Sequence, residues 1–438
     1  MPSSKNSDDI DASTTNTLCS FPLLITIAIL LPCIATLLAI LGLAPQRATT
    51  IGIDLGTTYS VVAYKDPSTK KIVMIPTDGR SYTSSSASSS TSHLLTPSIV
   101  AYTTSETNDN NDKIYVGREA QAYLTTSPKN TIYNSKRLIG RKYTDVNGDT
   151  TLSSMPHQFG LLNQTDKDSN AGFILDNGKI ISPVEVASKI ISTLVNAADT
   201  FLGHSNARKV IIAVPAQFNT VQREATALAF TNAGLKVVNM LEEPTAAAIA
   251  YGLQNQPHVH NVLVYDFGGG TLDVSLLWMH VGSVQVIGTD GDTNLGGSDF
   301  DKCMVELLHQ KGRLDNCDMS HLRKIAEQVK RKLSTSTSTI ASCGDGIRLS
   351  SFQKYKVERS HFEEQCGPLF SKSLEPVTRL LQDQNMLKED IDEVVLVGGT
   401  TRIPKIRNML KHYFNGRSPK FDIDPDLAVA YGAAMFSA

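Results

Sequence analysis

From residue 50 onward, short apolar runs alternate with longer segments in which apolar side chains return every three or four positions. Ile51-Gly52-Ile53, Val210-Ile211-Ile212-Ala213-Val214, Val262-Leu263-Val264-Tyr265 and Val394-Val395-Leu396-Val397 read as strands, each soon followed by a glycine or proline turn signal. A helix opens at Ser182-Pro183, where proline suits the first helical position. Its apolar stripe is Val186, Ile190, Ile191, Leu194, Ala198 and Phe201, and Gly203 stops it. A second helix starts at Asn219, with Gln222 three positions on as capping partner, and ends near Gly234. Strand, turn and helix in repetition predict an α/β architecture.

Three stretches break this rhythm. Residues 81–92 are nearly all Ser and Thr, and 103–112 are polar with Asn and Asp, so neither can bury a core and both read as surface loops or disorder. Residues 12–46 carry no charged side chain, and 21–44 are almost continuously apolar. That run exceeds the ~20 residues a helix needs to cross a bilayer, and the roughly 7–15 of a signal-peptide core. Membrane helices tolerate proline such as Pro22 and Pro32. Gly42 and Ala44 suit a cleavage site, which Pro45 directly after disfavours. The alternatives are an uncleaved anchor, a cleaved signal peptide and, last, a soluble core helix. Lys5 among three aspartates on one flank and Arg47 on the other leave orientation open.

Composition narrows the field. In 438 residues, 41 basic and 43 acidic side chains leave a net charge of −2, which gives no electrostatic case for nucleic acid or an anionic membrane surface. Six cysteines at 19, 33, 303, 317, 343 and 366 show no zinc-type spacing. At this size a disulfide scaffold is not expected, and the thiols read as free and buried. Asn163-Gln164-Thr165 is a lone glycosylation sequon that hints at a lumen.

The candidate chemistry lies in two similar turns. Asp54-Leu55-Gly56-Thr57-Thr58-Tyr59 and Asp266-Phe267-Gly268-Gly269-Gly270-Thr271-Leu272-Asp273 each set a carboxylate before a Gly/Thr-rich bend that follows a strand. Such bends bring backbone N–H groups close to a polyanion, and threonine hydroxyls add donors. Carboxylates at this distance suit Mg²⁺, which keeps most of its waters. The carboxylates stand 212 positions apart (266 − 54), a spacing that suggests one duplicated α/β unit with a hairpin from each copy facing a central cleft. On one predicted helix Glu327, Lys330, Arg331 and Ser334 fall at i, i+3, i+4 and i+7, hence on one face; on spacing alone that face reads as an exposed salt-bridged surface. Residues 334–339 read as a surface strand.

With these motifs in order, the chain resembles the ATPase domain of the heat-shock-70 (stress-70) chaperone family from about residue 50 to 438. Further matching motifs are Ser135-Lys136-Arg137-Leu138-Ile139-Gly140, Glu243-Pro244-Thr245-Ala246-Ala247-Ala248, Val397-Gly398-Gly399-Thr400-Thr401-Arg402 and Asp424-Pro425-Asp426. The resemblance implies an actin-like two-lobed fold, a duplicated RNase H-like unit, with lobe I at 48–256 plus 421–438 and lobe II at 257–420. A polar tail at 1–20 and the apolar helix at 21–44 would precede it. It implies ATP or ADP with Mg²⁺, and K⁺ as a further cation. Asp54, Glu243 and Asp266 would hold the hydrated metal. Gly56, Thr57, Thr58 and Tyr59 would meet the phosphates from one lobe, and Gly268, Gly269, Gly270 and Thr271 from the other. Lys136 would be the catalytic lysine and Asp273 the carboxylate linked to cation and water. Arg331 and Arg402 would sandwich adenine, Glu327 and Lys330 the ribose, with Ser334, Gly398, Gly399 and Asp426 completing the pocket.

The chain departs from that family in places. It ends at Ala438, where the ATPase domain would finish, and so resembles the microsome-associated, ATPase-core-only type. That type implies the endoplasmic reticulum, lumenal or anchored through the apolar helix, and peptide-independent ATPase activity. Asn239 and Glu242 replace an arginine and an asparagine, and Gln217 an aromatic residue. These changes predict weak or absent J-domain stimulation, leaving nucleotide-exchange factors or other chaperones as partners. The competing expectation is a nucleotide-dependent binding switch with negligible turnover, and a weaker one is a sugar or glycerol kinase.

Overall fold

The computed structural model describes residues 26, 28–30, 32–34, 47–77, 91–103, 113–146, 157–163, 169–310, 314, 317–343 and 353–437. Met1–Arg47 and Ala48–Ala438 are separate units. In the smaller one, the few described residues between Thr26 and Ile34 are helical. The rest of the apolar run, and nearly all of 81–92 and 103–112, lie outside the described residues. Among the described residues no helix is long and apolar enough to cross a membrane.

Two mixed sheets organise the larger unit. The first contains β1 (Thr50–Leu55), β2 (Tyr59–Lys65), β3 (Ile72–Met74), β4 (Lys209–Val214) and β5 (Lys236–Glu242), in the order β5-β4-β1-β2-β3. The second contains β6 (Asn261–Phe267), β7 (Leu272–His280), β8 (Ser283–Asp292) and β9 (Glu393–Val397), in the order β8-β7-β6-β9. In both, the strand bearing the carboxylate pairs antiparallel with its successor and parallel with a much later strand. The order β4-β1-β2-β3 thus repeats as β9-β6-β7-β8, which is the duplication that the hairpin spacing predicted. Central parallel strands are covered on both faces, so β4 and β9 read as unbroken apolar runs instead of alternating.

Hydrophobic cores hold these layers, and three of them position the site. Helix α1 (Pro183–Leu202) sets Val186, Ile190, Ile191 and Leu194 against Ile51, Ile53, Val210 and Ile212. It begins as predicted, with the Ser182 hydroxyl accepting from Glu185 N–H at 3.0 Å, and ends at Gly203. Helix α2 (Thr220–Asn232) has the reciprocal Asn219–Gln222 capping box. A second core joins β6 and β7 to α4 (Gly297–Gln310) and α5 (Met319–Leu333) through Leu263, Phe267, Phe300, Met304 and Ile325. The third core lies between the sheets. There α3 (Glu243–Ala250) and α6 (Ala428–Met435) pack on Ala213, Val264 and Val397. Their approach requires glycine at 432, because a Cβ there would sit 1.8 Å from the Ala246 carbonyl oxygen.

The cysteines overturn the expectation of free thiols. Cys303 of α4 is bonded to Cys366, and Cys317 ahead of α5 to Cys343, across sequence separations of 63 and 26. These partners meet only through the packing of helices and a later hairpin, so their spacing along the chain carries no signal. The strand expected from 334 begins only at Ser338, running Ser338–Cys343, and 334–337 form the turn after α5.

Candidate active site

The two hairpin bends meet. A Cβ on Gly269 would fall 2.6 Å from the Thr58 hydroxyl, so the second bend lies directly against the first and only glycine fits there. The first bend is braced from behind: the Ser98 hydroxyl donates to the Gly56 carbonyl at 2.8 Å, and Ser98 N–H to the Thr58 carbonyl at 2.9 Å. In the second bend, the Gly268 carbonyl accepts from Gly297 N–H at 3.0 Å and the Thr400 hydroxyl at 2.8 Å. The Gly269 carbonyl accepts from Ser298 N–H at 2.8 Å, and the Gly270 carbonyl from Arg137 Nη2 at 2.8 Å. Within a planar peptide the N–H opposes the C=O. Engaging these carbonyls therefore turns the amides of Gly269, Gly270 and Thr271 the other way, as an anion cradle needs.

Beside the bends sits a cluster of buried charge. Asp54 of β1 lies in register with Ala213 and Val61, and Asp266 of β6 with Val397 and Asp273 of β7. Lys136, in the 3-10 turn Ser135–Arg137, donates to Glu243 Oε1 at the start of α3. Burial, only partly offset by Lys136, pushes the Asp54 carboxyl up to about 7, with Glu243 and Asp426 adding to the rise. Burial with Glu243, Asp273 and Asp54 nearby holds Asp266 well above the carboxylate range. Burial and Glu243 push Asp273 up to about 6, against the Thr271 hydroxyl bond and Lys136. For Lys136 burial pulls downward, yet Glu243 and Asp54 outweigh it and hold the ammonium above its ordinary value. Negative charge is thus in surplus, and the acids compensate by holding protons.

The nucleoside side is assembled from α5 and the turn after β9. Burial raises the Tyr59 hydroxyl, with Glu327, Arg331 and Asp426 as its charged neighbours, so the first bend and α5 face one space. Glu327 and Arg331 pair at 3.7 Å and are largely exposed. Lys330 is instead committed to Asp301 and the Gly297 carbonyl, both at 2.8 Å. Ser334 lies just past α5, its hydroxyl 3.4 Å from the Lys330 carbonyl. Gly398 N–H donates to the Pro425 carbonyl at 3.0 Å, and the 3-10 turn Gly399–Arg402 follows. Arg402 donates to Asp426 at 2.9 Å and also to Asp424. Burial raises the Asp426 carboxyl, while Arg402 and Arg331 oppose that rise, so both arginines flank it.

Against this geometry, a sequence model of the Hsp70 protein family matches residues 50–438. The chain belongs to the Hsp70 family. Hsp70 proteins are ATP-binding and ATP-hydrolysing chaperones that work with co-chaperones, and their ATPase domains use ATP or ADP with Mg²⁺. The duplicated sheets and their helices fit the α/β, actin-like ATPase fold of the family.

The donor set of this Hsp70 fits a hydrated divalent cation. Burial raises Asp54 and Asp266 so that they retain protons which a cation would displace. Among the described residues, no three His, Cys, Asp or Glu side chains converge for direct ligation, and Mg²⁺ held through its waters does not need that.

Several participants escaped the sequence reading because their roles depend on tertiary contacts. Ser98 braces the first bend, Asp301 and Asp424 fix Lys330 and Arg402 on the nucleoside side, and Arg137 also reaches the Thr293 carbonyl at 3.0 Å. Glu242 reads differently in three dimensions. Its carboxylate accepts from Arg223 Nη2 at 3.0 Å, so the added charge is neutralised internally before any partner could sense it. The argument for weak J-domain stimulation then rests on Asn239 and Gln217.

Proposed function

We propose that this Hsp70 hydrolyses ATP in the cleft between its two bends, in association with protein folding or processing in the endoplasmic reticulum. The observation that carries the reading is the contact of Gly269 with Thr58 beside the Lys136–Glu243 pair. Hydrolysis needs an in-line water, charge neutralisation and little covalent chemistry. Gly56, Thr57, Thr58 and Tyr59 bind the phosphates from one side, and Gly268, Gly269, Gly270 and Thr271 from the other. Lys136 neutralises charge developing on the γ-phosphate, and Asp273 orients the water. Asp54, Glu243 and Asp266 would hold a hydrated divalent cation, which would supply further charge neutralisation. Arg331 and Arg402 flank the adenine, Glu327 and Lys330 meet the ribose, and Ser334, Gly398, Gly399 and Asp426 close the pocket. Lobe I is assigned to 48–256 with 421–438, and lobe II to 257–420.

The finer assignment is to the microsome-associated stress-70 type, lumenal or anchored to the membrane through residues 21–44. Two features support it: the apolar run itself, and a pair of disulfides of the kind that persists in oxidising compartments. Single-turnover hydrolysis of ATP with and without Mg²⁺ tests the activity, and binding without turnover would leave only a nucleotide switch. Glycosidase treatment tests location: a one-glycan shift lost in an Asn163→Gln variant is expected, whereas reactive Cys303 and Cys317 thiols in intact cells would refute a lumenal site.

A further inference from the structure

Gln217 stands where the resemblance predicts an aromatic side chain, and the structure gives the amide a specific contact. Its Nε2 donates to Asp273 Oδ1 at 2.8 Å, joining the loop after β4 to the start of β7. Both side chains line one recess of about 20 Å³ together with Asp266, Glu243 and Ser275. That space suits a single water, which needs roughly 10–15 Å³ and two to four polar partners. The Gln217 side chain is exposed, and hydrogen bonds hold the loop that carries it. Phe218 N–H closes a turn on the Pro215 carbonyl at 3.1 Å, and Arg223 grips the Phe218 carbonyl at 2.8 Å and the Ala216 carbonyl at 3.2 Å. Glu242 anchors Arg223 in turn.

We propose that Gln217 is a positioning residue for ATP hydrolysis: it fixes the Asp273 carboxylate so that its other oxygen faces the recess and orients the attacking water there. The idea deepens the proposed activity and rests on it. In the reaction the water oxygen bonds to the γ-phosphorus as the bond from that phosphorus to the bridging oxygen breaks. ADP leaves with that electron pair, and both water hydrogens leave on inorganic phosphate. Asp273 accepts only a hydrogen bond. An unrestrained carboxylate would rotate about its last torsion, so a donor from a neighbouring loop restricts where the free oxygen points.

The test is a double-mutant cycle on the full chain, read by single-turnover hydrolysis and by ATP affinity. Gln217→Leu is expected to slow the hydrolysis step about tenfold, the scale of one hydrogen bond to a charged acceptor, with affinity changed less than twofold. Starting from Asp273→Asn, the same substitution should add nothing, because the effect passes through that carboxylate. Hydrolysis at the wild-type rate, parallel losses in rate and affinity, or a further tenfold loss on top of Asp273→Asn each overturns the inference. A wild-type protein that binds ATP without hydrolysing it sinks both readings. Turnover that ignores Gln217→Leu sinks this one alone.

Discussion

Replacing Lys136 with alanine removes the ammonium that faces Glu243, Asp54 and Asp266. The Lys136 and Glu243 side chains are 11% and 16% exposed, so water screens the pair little. Deleting one partner of such a buried pair costs about 3–5 kcal/mol. The carboxylates have a partial remedy, because a proton can replace the lysine. In the wild-type protein without ligand, burial pushes Asp54 up to about 7, so lowering the pH from 8 to 6 gains about 1.4 kcal/mol of stability from this group. Without the ammonium the Asp54 carboxyl rises further, which enlarges that gain by at most about 1.4 kcal/mol, since two pH units cap the linkage. The stability deficit of Lys136→Ala should therefore be largest at pH 8 and smaller at pH 6, by no more than about 1.4 kcal/mol.

Denaturant unfolding of wild type and variant at both pH values, in Mg²⁺-free buffer, measures this directly. A deficit that stays constant or widens on acidification would show that these acids do not share one electrostatic cluster. The same variant should hydrolyse ATP about 10²–10³-fold more slowly, the usual loss of one pre-organised transition-state donor. Hydrolysis within threefold of wild type would remove Lys136 from the mechanism.

Three further outcomes follow from the same structure. Without nucleotide or metal, the contribution of Asp54 to stability should fall as pH rises through 7, since it is protonated in the native state well above its unfolded range; thermal melts of wild type against Asp54→Asn at pH 6 and 8 check the sign. Gly269→Ala should weaken ATP binding at least tenfold without lowering the melting temperature appreciably, because a methyl 2.6 Å from the Thr58 hydroxyl forces the bends apart; calorimetric titration reads the effect. Opening Cys303–Cys366 by Cys303→Ser should cost up to about 4 kcal/mol, and opening Cys317–Cys343 by Cys317→Ser slightly less, as expected for loops of 63 and 26 residues; unfolding curves that show no loss would refute it.

What could be read from the chain was whatever is encoded locally. The Asn219–Gln222 box, the Ser182 cap and Gly203 stop, and the strand-to-glycine transitions all depend on neighbours a few positions away. The duplication was legible because each copy carries its carboxylate at the same point of a strand. Contacts made by folding left no such trace. Nothing in the spacing of Cys303 and Cys366 announces that α4 lies beside the turn after Gln365. Lys330 and Arg331 are adjacent on one helix, yet only the first finds a buried carboxylate, Asp301, from α4. Glu242 looked like an added surface charge until Arg223 was seen to reach it.

The division of labour between the sheets bears on how such a site can turn over. The third core joins them through α3 and α6, whose small side chains let the two helices approach closely at Gly432. On the cleft side, polar contacts cross between them: Arg137 donates to the carbonyls of Gly270 and Thr293, and Gln217 to Asp273. Each such bond contributes only about 0.5–1.5 kcal/mol net, rather more where a carboxylate accepts. A handful of them is of the same order as the differential affinity that shifts a two-state equilibrium. Protons retained on Asp54 and Asp266 would work in the same direction, since a cation bound there would have to displace them. A cleft closed by many apolar contacts would hold its product. One closed by a few backbone acceptors and a titratable charge cluster would, under the proposed hydrolysis, be able to open again once the γ-phosphate is gone.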